Sequence, residues 1–222
     1  MPFLNRQEAG RKLAYPLAKY RGQHVVVLAL PRGGVPVAKE VATALAAPLD
    51  LVLVRKIGVP MQPELAMGAV VDGPNPVTVR NEDVIALAGI SEAEFNAVRD
   101  RELAEIRRRR VQYLGNRQHP DLADRIAIVI DDGIATGATT RAALRAVRAQ
   151  RPEKLVLAVP VAPTSSLEEL REEADEIVCL EDYEVFGAIG SFYSDFTQVS
   201  DEEVKDVLAQ FPPEPSEIGS EA

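Results

Sequence analysis

Residues 126–140 of this chain read IAIVIDDGIATGATT, and the rest of the sequence is organised around this stretch. Its first five residues are apolar and mostly β-branched, which is typical of a strand buried on both faces of a parallel sheet. Two carboxylates, Asp131 and Asp132, follow at the carboxyl end of that strand. A loop of Gly, Ala and Thr then leads into residues 141–148, whose composition and spacing predict a helix.

The loop after the acidic pair has the composition of a phosphate-binding loop. Small residues let backbone N–H groups approach an anion closely, and a helix N-terminus adds the positive end of its dipole. Thr136, Thr139 and Thr140 supply hydroxyl donors. Two acids before such a loop suit a ligand with vicinal hydroxyls beside its phosphate, and they could also help to hold hydrated Mg²⁺. The alternative is an ordinary strand–turn–helix with helix caps, but capping needs only one polar residue.

The run DDGIATGATT resembles the phosphoribosyl pyrophosphate (PRPP) signature of type I phosphoribosyltransferases. The resemblance implies that Asp131 and Asp132 bind the ribose 2- and 3-hydroxyls. It also implies that the loop binds the 5-phosphate through the following residues: Ala135, Thr136, Gly137, Ala138, Thr139 and Thr140. Hypoxanthine and guanine enzymes of this family carry a third Asp where this chain has Ala135, so a general base has to come from elsewhere.

A second strand–glycine–helix unit lies near the start of the chain. The buried strand of residues 24–30 runs into Pro31, Arg32, Gly33 and Gly34, where two glycines expose backbone N–H groups and an arginine adds charge. This unit resembles the pyrophosphate loop of the same family, and the resemblance implies a cis peptide bond between Pro31 and Arg32. A plain glycine turn is the alternative interpretation.

A third strand is predicted over residues 49–54, with Arg55 and Lys56 at its carboxyl end, where ligands of open α/β sheets gather. The resemblance implies that these cations contact pyrophosphate; a solvated charged turn is the alternative. Residues 57–68 match the position of the family's flexible catalytic loop, and one Gly and two Pro argue against regular structure in its first part. Glu64 either contacts the base or pyrophosphate, or caps a turn.

Residues 181–199 are rich in aromatics and glycine. The family resemblance implies a small hood there that stacks the acceptor base, and Phe186, Phe192 and Tyr193 are the candidates for this base-binding role. A packed lid or a dimer surface would explain the same residues equally well.

The amino-acid composition limits the kinds of partner and location that this protein can have. The net charge of −9 argues against nucleic acid as a partner, and no run reaches the ~18 apolar residues of a membrane span. The single cysteine, Cys179, is best explained as a buried small side chain. His24 and His119 have no spacing to acidic partners and are interpreted as structural or exposed. We expect a cytoplasmic protein, with a homodimer left open.

These observations predict an α/β fold with a doubly wound, mainly parallel sheet flanked by helices, the type I phosphoribosyltransferase fold, with a small C-terminal hood. We expect a core over residues 1–180, a hood over 181–210 and a disordered tail over 211–222. The resemblance implies Mg²⁺-dependent transfer of ribose 5-phosphate from PRPP to a nitrogenous base, with Glu64, Arg55, Lys56 and Asp132 as catalytic residues. The alternatives are a non-catalytic PRPP or nucleotide sensor and, less favoured, a hydrolase of phosphoribosyl compounds.

Overall fold

The computed structural model describes residues 3–73 and 76–213 of the chain. Its strands are β1 (Val25–Ala29), β2 (Leu49–Leu51), β3 (Val54–Val59), β4 (Gln62–Val71), β5 (Val77–Arg80), β6 (Ile126–Ile130), β7 (Lys154–Pro163) and β8 (Glu176–Tyr183). Its α-helices are α1 (Arg6–Leu17), α2 (Gly34–Leu45), α3 (Glu82–Leu87), α4 (Glu92–Leu114), α5 (Ala138–Arg148), α6 (Thr164–Leu170) and α7 (Asp201–Ala209), and 3₁₀ turns lie at Ala18–Tyr20 and Ile189–Phe192.

The centre of the molecule is a five-stranded parallel sheet with the order β2-β1-β6-β7-β8. In β1 and β6 every residue is buried, and the two strands pair from Val25 opposite Ile126 to Ala29 opposite Ile130. Alternate residues enter two separate apolar clusters, one against α1, α2 and α7 and the other against α5 and α6. Continuous apolar strands are stable here because helices remove both faces of the sheet from water. The predicted doubly wound sheet is confirmed.

The strand order reverses at β1. From β1 the chain first adds β2 on one side and later adds β6, β7 and β8 on the other. In open α/β sheets the crevice outside the carboxyl ends of the strands at such a reversal is where ligands bind. The loops that follow β1 and β6 are therefore the two best placed to form a site.

A second, antiparallel sheet consists of β3, β4 and β5. The predicted strand over residues 49–54 is shorter than expected, because β2 ends at Leu51 and Val54 already opens β3. Arg55 and Lys56 consequently lie within β3, opposite Val70 and Ala69 of β4, and the prediction that they stand at the carboxyl end of a core strand was wrong.

The prediction of irregular structure at the start of residues 57–68 was also wrong. This segment forms the arms and tip of the β3–β4 hairpin, with a turn at Pro60 and Met61. The pairing of β3 with β4 shifts register once on each side of Gly58. A side chain at Gly58 would come within 2.4 Å of the Pro63 carbonyl oxygen, so the close approach of the two arms there depends on glycine.

The remaining elements agree with the sequence in outline. The predicted capping box of α4 is present, with Ser91 and Glu94 bonded reciprocally. Two boundaries differ: β7 continues through Pro163, and Ser165 lies inside α6 instead of capping it. Of the expected disordered tail, residues 214–222 lie outside the described residues. No helix in the described ranges is long and apolar enough to cross a membrane.

Candidate functional site

The loops that follow β1 and β6 meet. The Leu30 N–H donates to the Ile130 carbonyl at 2.9 Å, which carries the pairing of the two strands up to the loops. A Cβ placed on Gly33 would lie 2.0 Å from Asp132 Oδ2, and one on Gly34 would lie 2.9 Å from the Asp131 Cα. The diglycine turn therefore packs directly against the acidic pair. The Pro31–Arg32 peptide bond is cis, as the family resemblance implied.

The two carboxylates have different environments. Asp132 is 8% exposed, and its Oδ2 accepts a hydrogen bond from Arg6 Nε at 2.7 Å. Asp131 accepts from the Asp132 backbone N–H at 2.9 Å through Oδ1. Although Asp131 is partly exposed as a residue, desolvation of its carboxyl group and the charge of Asp132 raise its pKa well above the ordinary value. Asp132 thus pairs with a cation, whereas Asp131 holds its proton more tightly than an ordinary aspartic acid does.

Arg6 and Tyr193 hold Asp132 from opposite ends of the chain. Arg6 opens α1, and its Nη1 donates to the Thr197 carbonyl at 2.8 Å. The Arg6 guanidinium lies 3.8 Å from the centre of the Phe196 ring. The Tyr193 hydroxyl donates to the Asp132 carbonyl oxygen at 2.5 Å. Sequence reasoning missed both contacts, because nothing local marks residues 126 and 61 positions away in the chain as partners of Asp132.

The predicted 5-phosphate loop is an open turn at the start of α5. Gly137 precedes the helix with φ 71°, a left-handed conformation that suits glycine, and it has no side chain to cap the first turn. Ala135, Thr136, Ala138 and Thr139 are exposed, and the Ala135 carbonyl accepts a hydrogen bond from the Ser166 hydroxyl at 3.0 Å. Thr140 differs from this group, because it is 3% exposed and packs into the protein. Its hydroxyl is therefore a poor candidate for a phosphate donor.

Arg32 points away from the acidic pair. Its Nη1 lies 3.5 Å from Asp201 Oδ1, at the first residue of α7. Asp201 also accepts from Gln112 Nε2 at 2.7 Å and from the Tyr113 hydroxyl, both on α4. The Arg32 side chain is 32% exposed. An ion pair so open to water is weak, so a polyanion could draw Arg32 from it at little energetic cost.

The structure does not bring Arg55, Lys56 and Glu64 to the two loops. Arg55 Nη2 lies 2.7 Å from Glu102 Oε2 of α4, and Lys56 Nζ lies 3.1 Å from Glu64 Oε2 across the hairpin. All three line a groove between the β3–β4 hairpin and α4, to which no residue of either loop contributes within the described ranges. Arg55 pairs with Glu102, and Lys56 pairs with Glu64. These residues therefore lie outside the site in this conformation.

The aromatic candidates for base binding separate into two groups. Phe186 and Phe192 are partly exposed and stack on each other with centroids 4.8 Å apart. Tyr193 is 6% exposed and packs between Phe3 and Phe196. Its ring cannot stack on a base that enters from solvent, which corrects the sequence-based prediction. Tyr193 positions the Asp132 backbone instead.

His119 has acidic neighbours that sequence spacing did not reveal. Its Nδ1 lies 2.7 Å from Asp50 Oδ2 and its Nε2 lies 3.3 Å from Asp72 Oδ2, joining the edge strand β2 to the second sheet. Burial alone would lower its pKa, but the hydrogen bonds to both carboxylates outweigh this and raise the pKa to about 9. Arg110 also reaches Asp72 at 2.9 Å, so this cluster is a buried ion network outside the candidate site. His119 was expected to be structural or exposed, and its side chain is only 12% exposed. The assumption that it lacks acidic partners was wrong.

The described residues include no group of three or more His, Cys, Asp or Glu side chains arranged to hold a metal ion. The acidic pair supplies two carboxylates, and hard cations such as Mg²⁺ accept carboxylate oxygens as ligands. Such a pair fits Mg²⁺ only where a ligand supplies most of the coordination.

Fold and site together define an α/β protein whose crevice lies at the switch point of a parallel sheet, between a glycine turn and an acidic pair. A family model described as the phosphoribosyl transferase domain matches residues 4–197. The chain belongs to this family.

Relatives and solved structures agree with this assignment. Two proteins from strains of Mycobacterium tuberculosis, one of them named "Putative phosphoribosyl transferase Rv0571c", are each 49% identical over 202 residues. These cover 91% of this chain and 45% of each relative, so the chain spans less than half their length. The crystal structure of TT1426 from Thermus thermophilus is 40% identical and matches 96% of this chain and 100% of its own with a TM-score of 0.82. The AQ2163 protein of Aquifex aeolicus, 14% identical over 93% of this chain and 86% of its own with a TM-score of 0.50, shares the fold.

Proposed function

We propose that this protein transfers the ribose 5-phosphate unit of PRPP to a nitrogen atom of a small acceptor and releases pyrophosphate. One observation carries the proposal: the turn of Gly33 and Gly34 packs against Asp131 and Asp132 at the switch point of the sheet. Membership of the phosphoribosyl transferase domain family supports the general reaction. The carboxylates, the glycine turn and the start of α5 would then receive the hydroxyls, the pyrophosphate and the 5-phosphate of one ligand.

The chemistry asked of the protein is positioning and charge stabilisation. In the transfer, the bond between ribose C1 and the pyrophosphate oxygen breaks, a bond from C1 to the acceptor nitrogen forms, and the acceptor loses a proton. The acidic pair would accept hydrogen bonds from the two ribose hydroxyls and so fix the sugar ring. Backbone N–H groups of residues 135–139 would bind the 5-phosphate, and Arg32 would stabilise the departing pyrophosphate.

Mg²⁺ is proposed as the cofactor, bound chiefly through the oxygens of PRPP and water, with the acidic pair as the protein's contribution. When bound, it would neutralise charge on the pyrophosphate leaving group.

Arg55, Lys56 and Glu64 enter the proposal as residues of a closing element. They lie on the β3–β4 hairpin, whose tip carries Met61 at 90% exposure. Closure of this hairpin over bound PRPP would bring the two cations towards pyrophosphate and exclude water from the reacting carbon. The ion pairs of Arg55 and Lys56 would have to open for that step.

A non-catalytic PRPP sensor is the competing proposal. It is favoured by the engagement of Arg55 with Glu102 and of Lys56 with Glu64, which keeps both cations away from the acidic pair. A sensor would bind PRPP with Mg²⁺ but would release no pyrophosphate with any acceptor. The cytoplasmic location, the homodimer and the absence of a nucleic-acid partner remain predictions.

Two measurements test the proposal. Isothermal calorimetry should detect binding of PRPP in the presence of Mg²⁺, with weaker binding of ribose 5-phosphate. A pyrophosphate-release assay across purine and pyrimidine bases should then identify an acceptor; because Ala135 replaces the acidic residue of the hypoxanthine and guanine enzymes, we expect adenine-like or pyrimidine acceptors to be preferred. Binding without release would favour the sensor, and absence of PRPP binding would refute both.

A further inference from the structure

Arg6 is a charged residue that the protein buries far from every motif in its sequence. Its side chain is 9% exposed, and that of its partner Asp132 is 11% exposed. Arginine is rarely buried to this extent unless it is paired, and the free energy of removing both charges from water has to be recovered through good geometry. The contact is therefore a built feature of the site and not a surface ion pair.

Two directed hydrogen bonds and a stacked ring fix the Arg6 guanidinium. Nε donates to Asp132 Oδ2 at 2.7 Å, and Nη1 donates to the Thr197 carbonyl at 2.8 Å. The Phe196 ring lies against the guanidinium, 3.8 Å from its carbon. A planar fork held at two nitrogens and one face has little freedom to rotate, so it fixes the orientation of the carboxylate that it binds.

The contact leaves the carboxylate able to accept further hydrogen bonds. An ionised carboxylate has about four lone-pair sites, and Arg6 uses one of them on Oδ2. Gly33 packs against the same oxygen, since a Cβ there would lie 2.0 Å from it. Arg6 and Gly33 together limit Asp132 to a narrow range of side-chain orientations.

We propose that Arg6 is a positioning residue for ribose binding. It holds the Asp132 carboxylate in the orientation that accepts a ribose hydroxyl, and it couples that carboxylate to the C-terminal segment through Thr197. This inference rests on the proposed function, because it assigns Asp132 to the ribose of PRPP. A purely structural role, in which the pair only docks α1 onto the protein, is the competing explanation.

The test compares two ligands that contain the ribose that Asp132 would bind with one ligand that contains no ribose. Arg6→Lys keeps the charge but cannot span both oxygen partners, and Arg6→Gln removes the charge. Arg11→Gln is the matched control, because Arg11 lies on the same helix, is 57% exposed and pairs with Glu40 only at 3.7 Å. The probes are PRPP, ribose 5-phosphate and inorganic pyrophosphate, each titrated with Mg²⁺ by calorimetry against all four proteins.

We expect both Arg6 variants to lose at least about tenfold in affinity for PRPP and ribose 5-phosphate, a difference of about 1.4 kcal/mol, with Arg6→Gln the weaker binder. The affinity for inorganic pyrophosphate should stay within about threefold of wild type, because pyrophosphate lacks the ribose that Asp132 would bind. In steady-state kinetics the same variants should raise KM for PRPP more than they lower kcat. Arg11→Gln should match wild type throughout.

Two outcomes would overturn the inference. One is wild-type affinity for PRPP in Arg6→Lys and Arg6→Gln. The other is an equal loss for all three probes, which a general structural role would produce. If Arg6→Gln does not fold, as judged by thermal unfolding, Arg6→Lys decides the question. Failure of the proposed function looks different, because wild type itself would then bind no PRPP.

Discussion

Replacing Gly33 by alanine is the sharpest test of how the site is built. The added Cβ would lie 2.0 Å from Asp132 Oδ2 and 2.5 Å from its Cγ, distances at which one of the groups has to move. The oxygen that it meets is the same one that accepts the hydrogen bond from Arg6. The Asp132 side chain therefore cannot turn aside without loosening a buried ion pair.

The expected magnitude follows from these contacts. Overpacking a closed position typically costs ~1–3 kcal/mol, and losing one partner of a buried ion pair costs ~3–5 kcal/mol. Since Asp132 would be displaced and not removed, we expect Gly33→Ala to lower the free energy of unfolding by about 2–4 kcal/mol. For a chain of this size that corresponds to a fall in Tm of about 4–16 °C. PRPP affinity should fall by at least about tenfold, because the carboxylate that we propose binds the ribose would be displaced.

Thermal unfolding and a calorimetric titration with PRPP and Mg²⁺ measure both effects. Gly187→Ala is the matched control, because the nearest atom to a Cβ there is Ser191 Oγ at 4.0 Å. That substitution should leave Tm unchanged or raise it slightly, since alanine reduces the entropy of the unfolded chain. A Gly33→Ala protein with the Tm and the PRPP affinity of wild type would refute the packing argument.

Three further predictions concern single side chains. Asp132→Asn should weaken PRPP binding by more than about tenfold in calorimetry; wild-type affinity would count against the assignment of the acidic pair. Tyr193→Phe removes the hydrogen bond to the Asp132 carbonyl while keeping the ring, and denaturant unfolding should show a loss of about 1 kcal/mol, with no loss if that bond is unimportant. The raised pKa of His119 contributes stability that is complete below pH 6.5 and is lost as the pH rises through about 9. The free energy of unfolding should therefore fall by up to about 3 kcal/mol across that interval, and His119→Gln should flatten this dependence; an equal slope in both proteins would contradict it.

Local pattern was sufficient to predict the central sheet and the two loops. The apolar runs of β1 and β6 indicate strands buried on both faces, and the glycines and acids that follow them mark the edge where ligands gather. The approach of Gly33 to Asp132 then follows from topology, because parallel neighbours bring the ends of their strands to one edge of the sheet.

The sequence pattern did not predict those parts of the structure that depend on tertiary contacts. Gly58 and Pro63 argue against regular structure, yet cross-strand pairing and a bulge made this segment a hairpin. Arg55 and Lys56 lie on β3 of that hairpin, so their position could not be predicted without the pairing of β3 with β4. Residues distant in the chain, such as Arg6, become neighbours of Asp132 only after packing.

The contacts of Phe3 and Tyr193 have a consequence for biosynthesis. Phe3 pairs with Tyr193, and its backbone bonds to Phe192 and Ser194, so early and late parts of the chain close around the acidic pair together. A ribosome-bound chain that has not yet exposed Tyr193 and Thr197 can form β1 and β6. Arg6 then lacks its hydrogen bond to the Thr197 carbonyl, and the Asp132 carbonyl lacks its hydrogen bond from Tyr193. Domains that form during translation assemble from their early residues onwards. The strands of the parallel sheet can therefore pair during synthesis before Tyr193 and Thr197 are available to Asp132 and Arg6.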